Sequence, residues 1–172
     1  YKRIYNFLLN KTKNKKIKAL VTAGPTNEYI DPVRYITNKS SGKQGYEIAK
    51  SLFNRGFDTT LISGPTNIKI AEHIKLIKVE TAEEMFNATQ QNLPTDVAIF
   101  AAAVSDFKVK KKQKKKIPKQ ENMVIDLEKN IDILNYVSNH NSKRPKLVIG
   151  FAAETHNLEK NAINKLQNKN CD

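Results

Sequence analysis

Only one of the 172 residues is a cysteine, Cys171, so no internal disulfide framework can form and the chain suits a reducing cytoplasm. Histidine is scarce too. His73, His140 and His156 are dispersed and, with that lone thiol, offer no zinc-ligand spacing, which removes metal-hydrolase and cysteine-protease chemistries. No long apolar run and no secretory h-region occurs, so a soluble protein without a membrane partner is expected. The six glycines do not spell a nucleotide fingerprint. "GKQG" at Gly42 to Gly45 is not Gly-x-Gly-x-x-Gly, and Gly42-Lys43 lacks the earlier glycine and the following Ser or Thr of a P-loop. A dinucleotide-binding, reductase-like protein and a P-loop ATPase are therefore disfavoured. The chain begins at Tyr1 rather than Met and stops directly after a helical pattern. A fragment of a longer polypeptide is expected, cut before the strand that should follow.

What remains is apolar enough for one domain, with 39% hydrophobic residues to build a core. The formal net charge of +13 favours polyanions in general. Its location narrows the meaning. Eight of the twelve residues in "KVKKKQKKKIPK", Lys108 to Lys119, are lysines, whereas Thr22 to Ala103 is nearly balanced. This segment raises a rival reading, a non-catalytic nucleic-acid-binding module. No aromatic side chain interleaves with its lysines, however, so bases would lack a stacking platform and no nucleic-acid partner is expected.

Periodicity predicts alternating strands and helices. Residues 1–16 read as a short helix and a solvated linker, and residues 17–172 as the domain proper. Strands are expected at Ile17 to Gly24, in "FDTTLISGPT", in "HIKLIKV", in "DVAIFAAAVSDF" and in "KLVIGFAAE". Helices are expected in "GKQGYEIAKSLFNRG", with Tyr46, Ile48, Ala49, Leu52 and Phe53 as a core stripe and Gly56 as the stop, and in "TAEEMFNATQQ", capped by Thr81 and Glu84. Two more fall near "IDILNYVSNH" and from about Asn157 to Asn168. Between Lys108 and Lys129 the rhythm breaks, and a lysine-rich flap or long hairpin is expected there. The fold class that follows is α/β: a Rossmann-like three-layer domain with a mostly parallel sheet, right-handed crossovers and an inserted flap.

Open α/β sheets bind ligands beyond the carboxyl ends of their strands. After the first strand come Thr22, Gly24, Thr26 and Asn27; after the fourth, Ser105 and Asp106; after the fifth, Phe151 and Glu154. In "RYITNKSSGKQGYEIAK", Ser40, Ser41 and Gly42 precede a helix whose first N–H groups point at the loop, so with Gly24 they form a candidate phosphate loop. The same residues also suit an ordinary N-cap loop. Asp106 could hold hydrated magnesium against a triphosphate, or simply end a strand.

"VTAGPTNEYIDPVRYITNKSSGKQGYEIA", "SGPT", "AAAVSDF", "KIPK", "EKNIDIL" and "GFAAET" occur in order between about Ile17 and Cys171. Together these motifs resemble the phosphopantothenate-cysteine ligase (phosphopantothenoylcysteine synthetase) domain of the bacterial bifunctional coenzyme A biosynthesis protein. The resemblance implies a cytoplasmic homodimer, fused to or associated with a phosphopantothenoylcysteine decarboxylase, whose flap reaches over the active site. It implies CTP as co-substrate with Mg2+, and 4'-phosphopantothenate and cysteine as the molecules joined. The acid first forms an acyl-cytidylate, and the cysteine amine then displaces CMP. By resemblance, Asn38 holds the intermediate and Lys116 of "KIPK" is the catalytic flap lysine. Phe100, Ala101, Ala102 and Asp106, then Ile131, Asp132, Ile133 and Leu134, then Phe151, Lys165 and Lys169 match nucleotide-binding positions, with Asp106 and Asp132 as the metal carboxylates. Two departures stand out: Ile131 replaces a usual proline, and Pro118 replaces a usual lysine.

Overall fold

The computed structural model describes residues 16–119, 121–153 and 156–172. The helix expected over residues 1–10 and all but the last residue of its linker lie outside the described residues, as does Glu154. In chain order the elements are β1 (Lys18–Ala23), β2 (Asn27–Asp31), β3 (Arg34–Thr37), α1 (Lys43–Asn54), β4 (Asp58–Ser63), β5 (Lys75–Lys78), α2 (Ala82–Gln91), β6 (Val97–Phe100), β7 (Phe107–Val109), β8 (Leu127–Lys129), α3 (Ile133–Ser138), β9 (Leu147–Gly150) and α4 (Leu158–Lys169). Five strands form a wholly parallel sheet in the order β5-β4-β1-β6-β9, while β2-β3 and β7-β8 are separate antiparallel pairs.

Successive residues of a strand face opposite sides, and β1 shows how three layers arise. Ala19, Val21 and Ala23 pack with Tyr46, Ala49 and Leu52 of α1, whereas Leu20 packs with Met85 and Ala88 of α2 and Ile133 and Val137 of α3. Both faces are thus covered, which accounts for the apolar run of β6 and the Ala19-Leu20-Val21 centre of β1. At α2 the Thr81 hydroxyl accepts from the Glu84 N–H at 3.2 Å, and the Glu84 carboxylate reaches back to the Glu80 N–H at 2.7 Å. Glu28, buried on β2, accepts from the Ala82 N–H at 3.0 Å and so satisfies another orphan donor of the helix.

Two expectations change. The strand expected through "DVAIFAAAVSDF" ends at Phe100, because its partner β9 ends at Gly150; beyond that point only the exit of β1 continues to pair. There the Ala101 N–H donates to the Thr22 carbonyl at 3.2 Å and the Ala103 N–H to the Gly24 carbonyl at 2.8 Å. The segment after the first strand, given no element above, is the β2–β3 hairpin turning at Pro32-Val33. Past α4, Asp172 meets the outer edge of β9: its N–H donates to the Val148 carbonyl at 2.8 Å and its carboxylate accepts from the Val148 N–H at 3.0 Å.

The approach of α1 to β1 requires glycine at two positions. Gly42 caps the helix at φ +75°, a conformation costly for any side chain. A Cβ on Gly45 would lie 2.5 Å from the Ala23 Cβ and 2.9 Å from the Thr22 carbonyl oxygen. Gly45→Ala should therefore overpack the helix–sheet contact and lower the urea-unfolding free energy by about 1–3 kcal/mol. A variant as stable as the natural chain would show that α1 can lift off β1 without cost.

Candidate functional site

Connections from β1 lead to β4 on one side and, later, to β6 on the other, so the order of the sheet reverses beside β1. A crevice opens at the carboxyl ends of such strands, and a cavity of about 520 Å³ occupies it. The lining brings together Asn38 from the loop after β3, Phe100, Ala102 and Asp106 from the exit of β6, and Ile131, Asp132, Ile133 and Leu134 around the start of α3. Phe151 beyond β9 and Lys165 and Lys169 of α4 complete it. Residues up to 147 positions apart, from Thr22 to Lys169, therefore share one hollow. Phe151 is half exposed at its mouth.

Hydrogen bonds knit the walls. The fully buried Thr26 accepts from the Ser105 N–H at 3.0 Å through its hydroxyl, and its carbonyl accepts from the Thr37 hydroxyl at 2.9 Å. The side-chain amide of Asn38 donates to the Val104 carbonyl at 3.0 Å and the Ala103 carbonyl at 3.4 Å. Its donors thus face the sheet, which leaves the amide oxygen as the group available to a ligand. Asn130 holds Ser105 through a 2.9 Å bond from its amide to the carbonyl.

Asp132 caps α3, accepting from the Asn135 N–H at 2.9 Å, while its other oxygen pairs with the Lys169 ammonium at 3.1 Å. Both oxygens are therefore engaged. The Asp106 carboxylate has no hydrogen-bond or ion-pair partner among the described residues. For a hard cation such as magnesium the donor chemistry of Asp106 fits as a single direct ligand; Asp132 would first have to release Lys169. Among the described residues no cluster of three or more His, Cys, Asp or Glu side chains exists that could hold a metal ion.

Other expected site residues lie apart from the cavity. Ser40 and Ser41 accept from the N–H groups of Gly42 and Lys43, at 3.2 and 3.4 Å, so these two serines serve the helix start. Ser40, Ser41, Gly42 and Gly24 are absent from the cavity lining, as is Ala101, whose N–H is spent on Thr22. Lys116 lines a different cleft, of about 330 Å³, with Ile117, Pro118, Met123 and Val124. The flap is attached at its base to the β2–β3 hairpin: the Gln113 N–H donates to the Ile30 carbonyl at 2.9 Å and the Ile117 N–H to Asp31 at 3.1 Å.

Residues 14–172 match the family model for the DNA/pantothenate metabolism flavoprotein C-terminal domain. The chain belongs to this family. Over 169 residues it is 40% identical to the coenzyme A biosynthesis bifunctional protein CoaBC of Haemophilus influenzae, covering 97% of this chain and 42% of that one. The chain thus spans about two fifths of the length of the curated relatives it matches. Among solved structures, the crystal structure of the C-terminal domain of CoaBC is 43% identical, with a TM-score of 0.77 over 90% of this chain and 74% of its own. A mutant of Cab2 in complex with phosphopantothenate-cysteine, 18% identical with a TM-score of 0.73 over 99% of this chain and 75% of its own, shares the fold.

Within this flavoprotein C-terminal domain, sequence reasoning passed over Lys39, Asn130 and Ala153, which line the cavity, and Asp31 and Arg34, which hold the flap. The Asp-Pro pair at 31–32 was the available signal for the turn. Burial alone would raise the Asp31 carboxyl, but N–H donors from Val33, Ile117 and Arg34 and the Arg34 guanidinium outweigh it, leaving the group below its ordinary 3.8. A carboxyl lowered in the folded state contributes its stability above the unfolded value and loses it as pH falls through the folded one. The stability difference between the natural chain and Asp31→Asn should therefore stay level through neutral pH and shrink below pH 3.8, measured by urea unfolding across a pH series. A difference unaffected by acid would remove Asp31 from the charge balance of the hairpin.

Proposed function

We infer that this chain is the ligation domain of a coenzyme A biosynthesis enzyme, joining cysteine to 4'-phosphopantothenate at the expense of CTP. The observation that carries the reading is the convergence of Asn38, Asp106, Asp132, Phe151, Lys165 and Lys169, drawn from five separate segments, on one switch-point cavity in a chain related to bifunctional coenzyme A biosynthesis proteins. In the reaction proposed, a carboxylate oxygen of 4'-phosphopantothenate attacks the α-phosphorus of CTP and pyrophosphate leaves. The cysteine amine then attacks the acyl carbon, CMP departs with the bonding pair, and the amine gives up its proton. Such transfers depend on positioning and charge stabilisation, so the absence of a protein nucleophile is no obstacle.

Lys165 and Lys169 supply cations four residues apart on one helix to meet the triphosphate. Phe151 offers a flat apolar face for the base, and the backbone from Ile131 to Leu134 frames it. Asn38, with its donors turned to Ala103 and Val104, accepts from a ligand N–H or O–H through its oxygen. Magnesium, when bound, would neutralise triphosphate charge, and Asp106 would hold it. Lys116 reaches the reacting phosphates from the flap, in a homodimer whose partner domain is a decarboxylase. Two flap-side lysines are already occupied within the fold, Lys108 with Glu128 at 3.6 Å and Lys112 over the Tyr29 ring at 4.8 Å, which leaves less of the run for a nucleic-acid backbone.

The complete protein, given CTP, 4'-phosphopantothenate and cysteine, should release CMP and pyrophosphate, with ATP a poor substitute; release of CDP and phosphate would refute the acyl-cytidylate route. Lys116→Gln should lower ligation by roughly a hundredfold, the scale of one lost transition-state charge contact. Lys111→Gln combined with Lys114→Gln should leave turnover nearly intact, because a lid places one charge and leaves its neighbours in solvent. Equal losses from both replacements would return the run to a general polyanion surface. Asn38→Asp should cost roughly ten- to a thousandfold in turnover, since a carboxylate cannot donate to Val104 and repels an anionic intermediate. Unchanged turnover would make Asn38 a plain loop residue.

A further inference from the structure

A run with eight lysines in twelve residues repels itself, yet this flap is held at defined points. Residues 110 through 116 are all exposed, so no apolar burial fixes them and polar bonds must. At one end the Gln113 N–H is taken by the Ile30 carbonyl at 2.9 Å. At the other, Ile117 gives both of its main-chain polar groups to one ion pair: its N–H donates to Asp31 Oδ2 at 3.1 Å, and its carbonyl accepts from Arg34 Nη1 at 3.2 Å. Arg34 and Asp31 meet at 2.9 Å, and the Asp31 side chain has no exposed surface. The other oxygen of Asp31 accepts from the N–H groups of Val33 and Arg34, each at 2.9 Å. One carboxylate therefore closes the β2–β3 turn and clamps the flap together.

We propose that Asp31 and Arg34 are positioning residues, forming a latch on Ile117 that sets how far the ammonium of Lys116, its neighbour in the chain, can travel. Aspartate is required because four acceptor directions are used and no donor is tolerated; an asparagine must turn its NH₂ toward either the turn or the flap. Arginine is required because one guanidinium nitrogen bridges carboxylate and carbonyl, with charge-assisted bonds at the end of an exposed segment. The importance of Lys116 to chemistry rests on the ligation reading above. The latch itself does not.

Limited trypsin digestion of the natural chain, Asp31→Asn and Arg34→Met reads the latch directly, because the bond between Lys116 and Ile117 is itself a tryptic site. Cleavage there should rise about tenfold or more in Asp31→Asn and by a smaller factor in Arg34→Met, as loss of bonds to a charged group raises the opened population. Cleavage after Lys43 and Lys50 of α1 should stay unchanged as the internal reference for folding. Arg34 is a third exposed, so its replacement tests the latch even where Asp31→Asn folds poorly. Natural cleavage rates at Ile117 in both variants, or equal rises in α1 and the flap, would overturn the proposal. In the complete protein, Asp31→Asn should lower saturating turnover while the Michaelis constant for cysteine stays within about twofold. Full turnover from a flap that trypsin shows to be released would overturn the positioning of Lys116. Failure of the unaltered protein to make CMP would count against the ligation reading alone, and the tryptic comparison would still decide the latch.

Discussion

The closeness of α1 to β1 governs the carboxyl edge of this sheet. With no side chain at Gly45, the first turn of the helix rests directly on Ala23 and the Thr22 carbonyl. The loop that feeds the helix is thereby pressed down beside the exit of β1. From that height Asn38 can reach the Val104 and Ala103 carbonyls. Those carbonyls belong to a stretch that is itself registered on β1 through the Pro25–Ala103 bridge. A helix held one atom layer higher would carry Asn38 away from the exit of β6 and open the hollow between them. Tight packing of secondary structure and the shape of the cavity are therefore one constraint, transmitted through a rigid interior.

This arrangement achieves with scattered glycines what dinucleotide folds achieve in one short motif. Gly24 and Gly42 take the positive-φ turns, and Gly45 permits close helix–strand contact. The serines between them satisfy the loop's own N–H groups. A loop that looks like an anion cradle in sequence is, in the folded chain, partly closed upon itself. Its ligand-facing part is the Asn38–Lys39 end, which lines the cavity.

Much of the domain was legible because burial on two faces and on one leave different patterns. The β6 segment is a continuous apolar run and β1 carries Ala19-Leu20-Val21, α1 carries its Tyr46–Ala49–Leu52 stripe, and the parallel sheet follows from their alternation. The β2–β3 hairpin was not legible. Its buried members include Asn27, Glu28 and Asp31, polar residues that look solvent-facing until their partners at Glu80, Ala82 and Ile117 are known. Asp106 and Phe151 were expected beyond strand ends for the same reason that the strands were, and both line the cavity. Contacts made by the flap were not, since a run of lysines carries no record of which main-chain group is pinned. Asp132 illustrates a different limit: its type suggests a metal ligand, and only tertiary structure reveals that a helix cap and Lys169 occupy it.

The pairing of Asp132 with Lys169, at 3.1 Å on the wall of the hollow, turns binding there into an exchange reaction. An entering anion does not find a bare ammonium; it must displace a carboxylate that is already in place. A singly charged ion gains little by substituting one negative partner for another. A polyanion that also engages Lys165 and Lys39, both on the same lining, gains contacts that the carboxylate cannot match. Were the hollow to take a chain of phosphates as proposed, chloride or acetate would displace the carboxylate less readily than the polyanion. The resting ion pair would then favour charge number before shape is consulted.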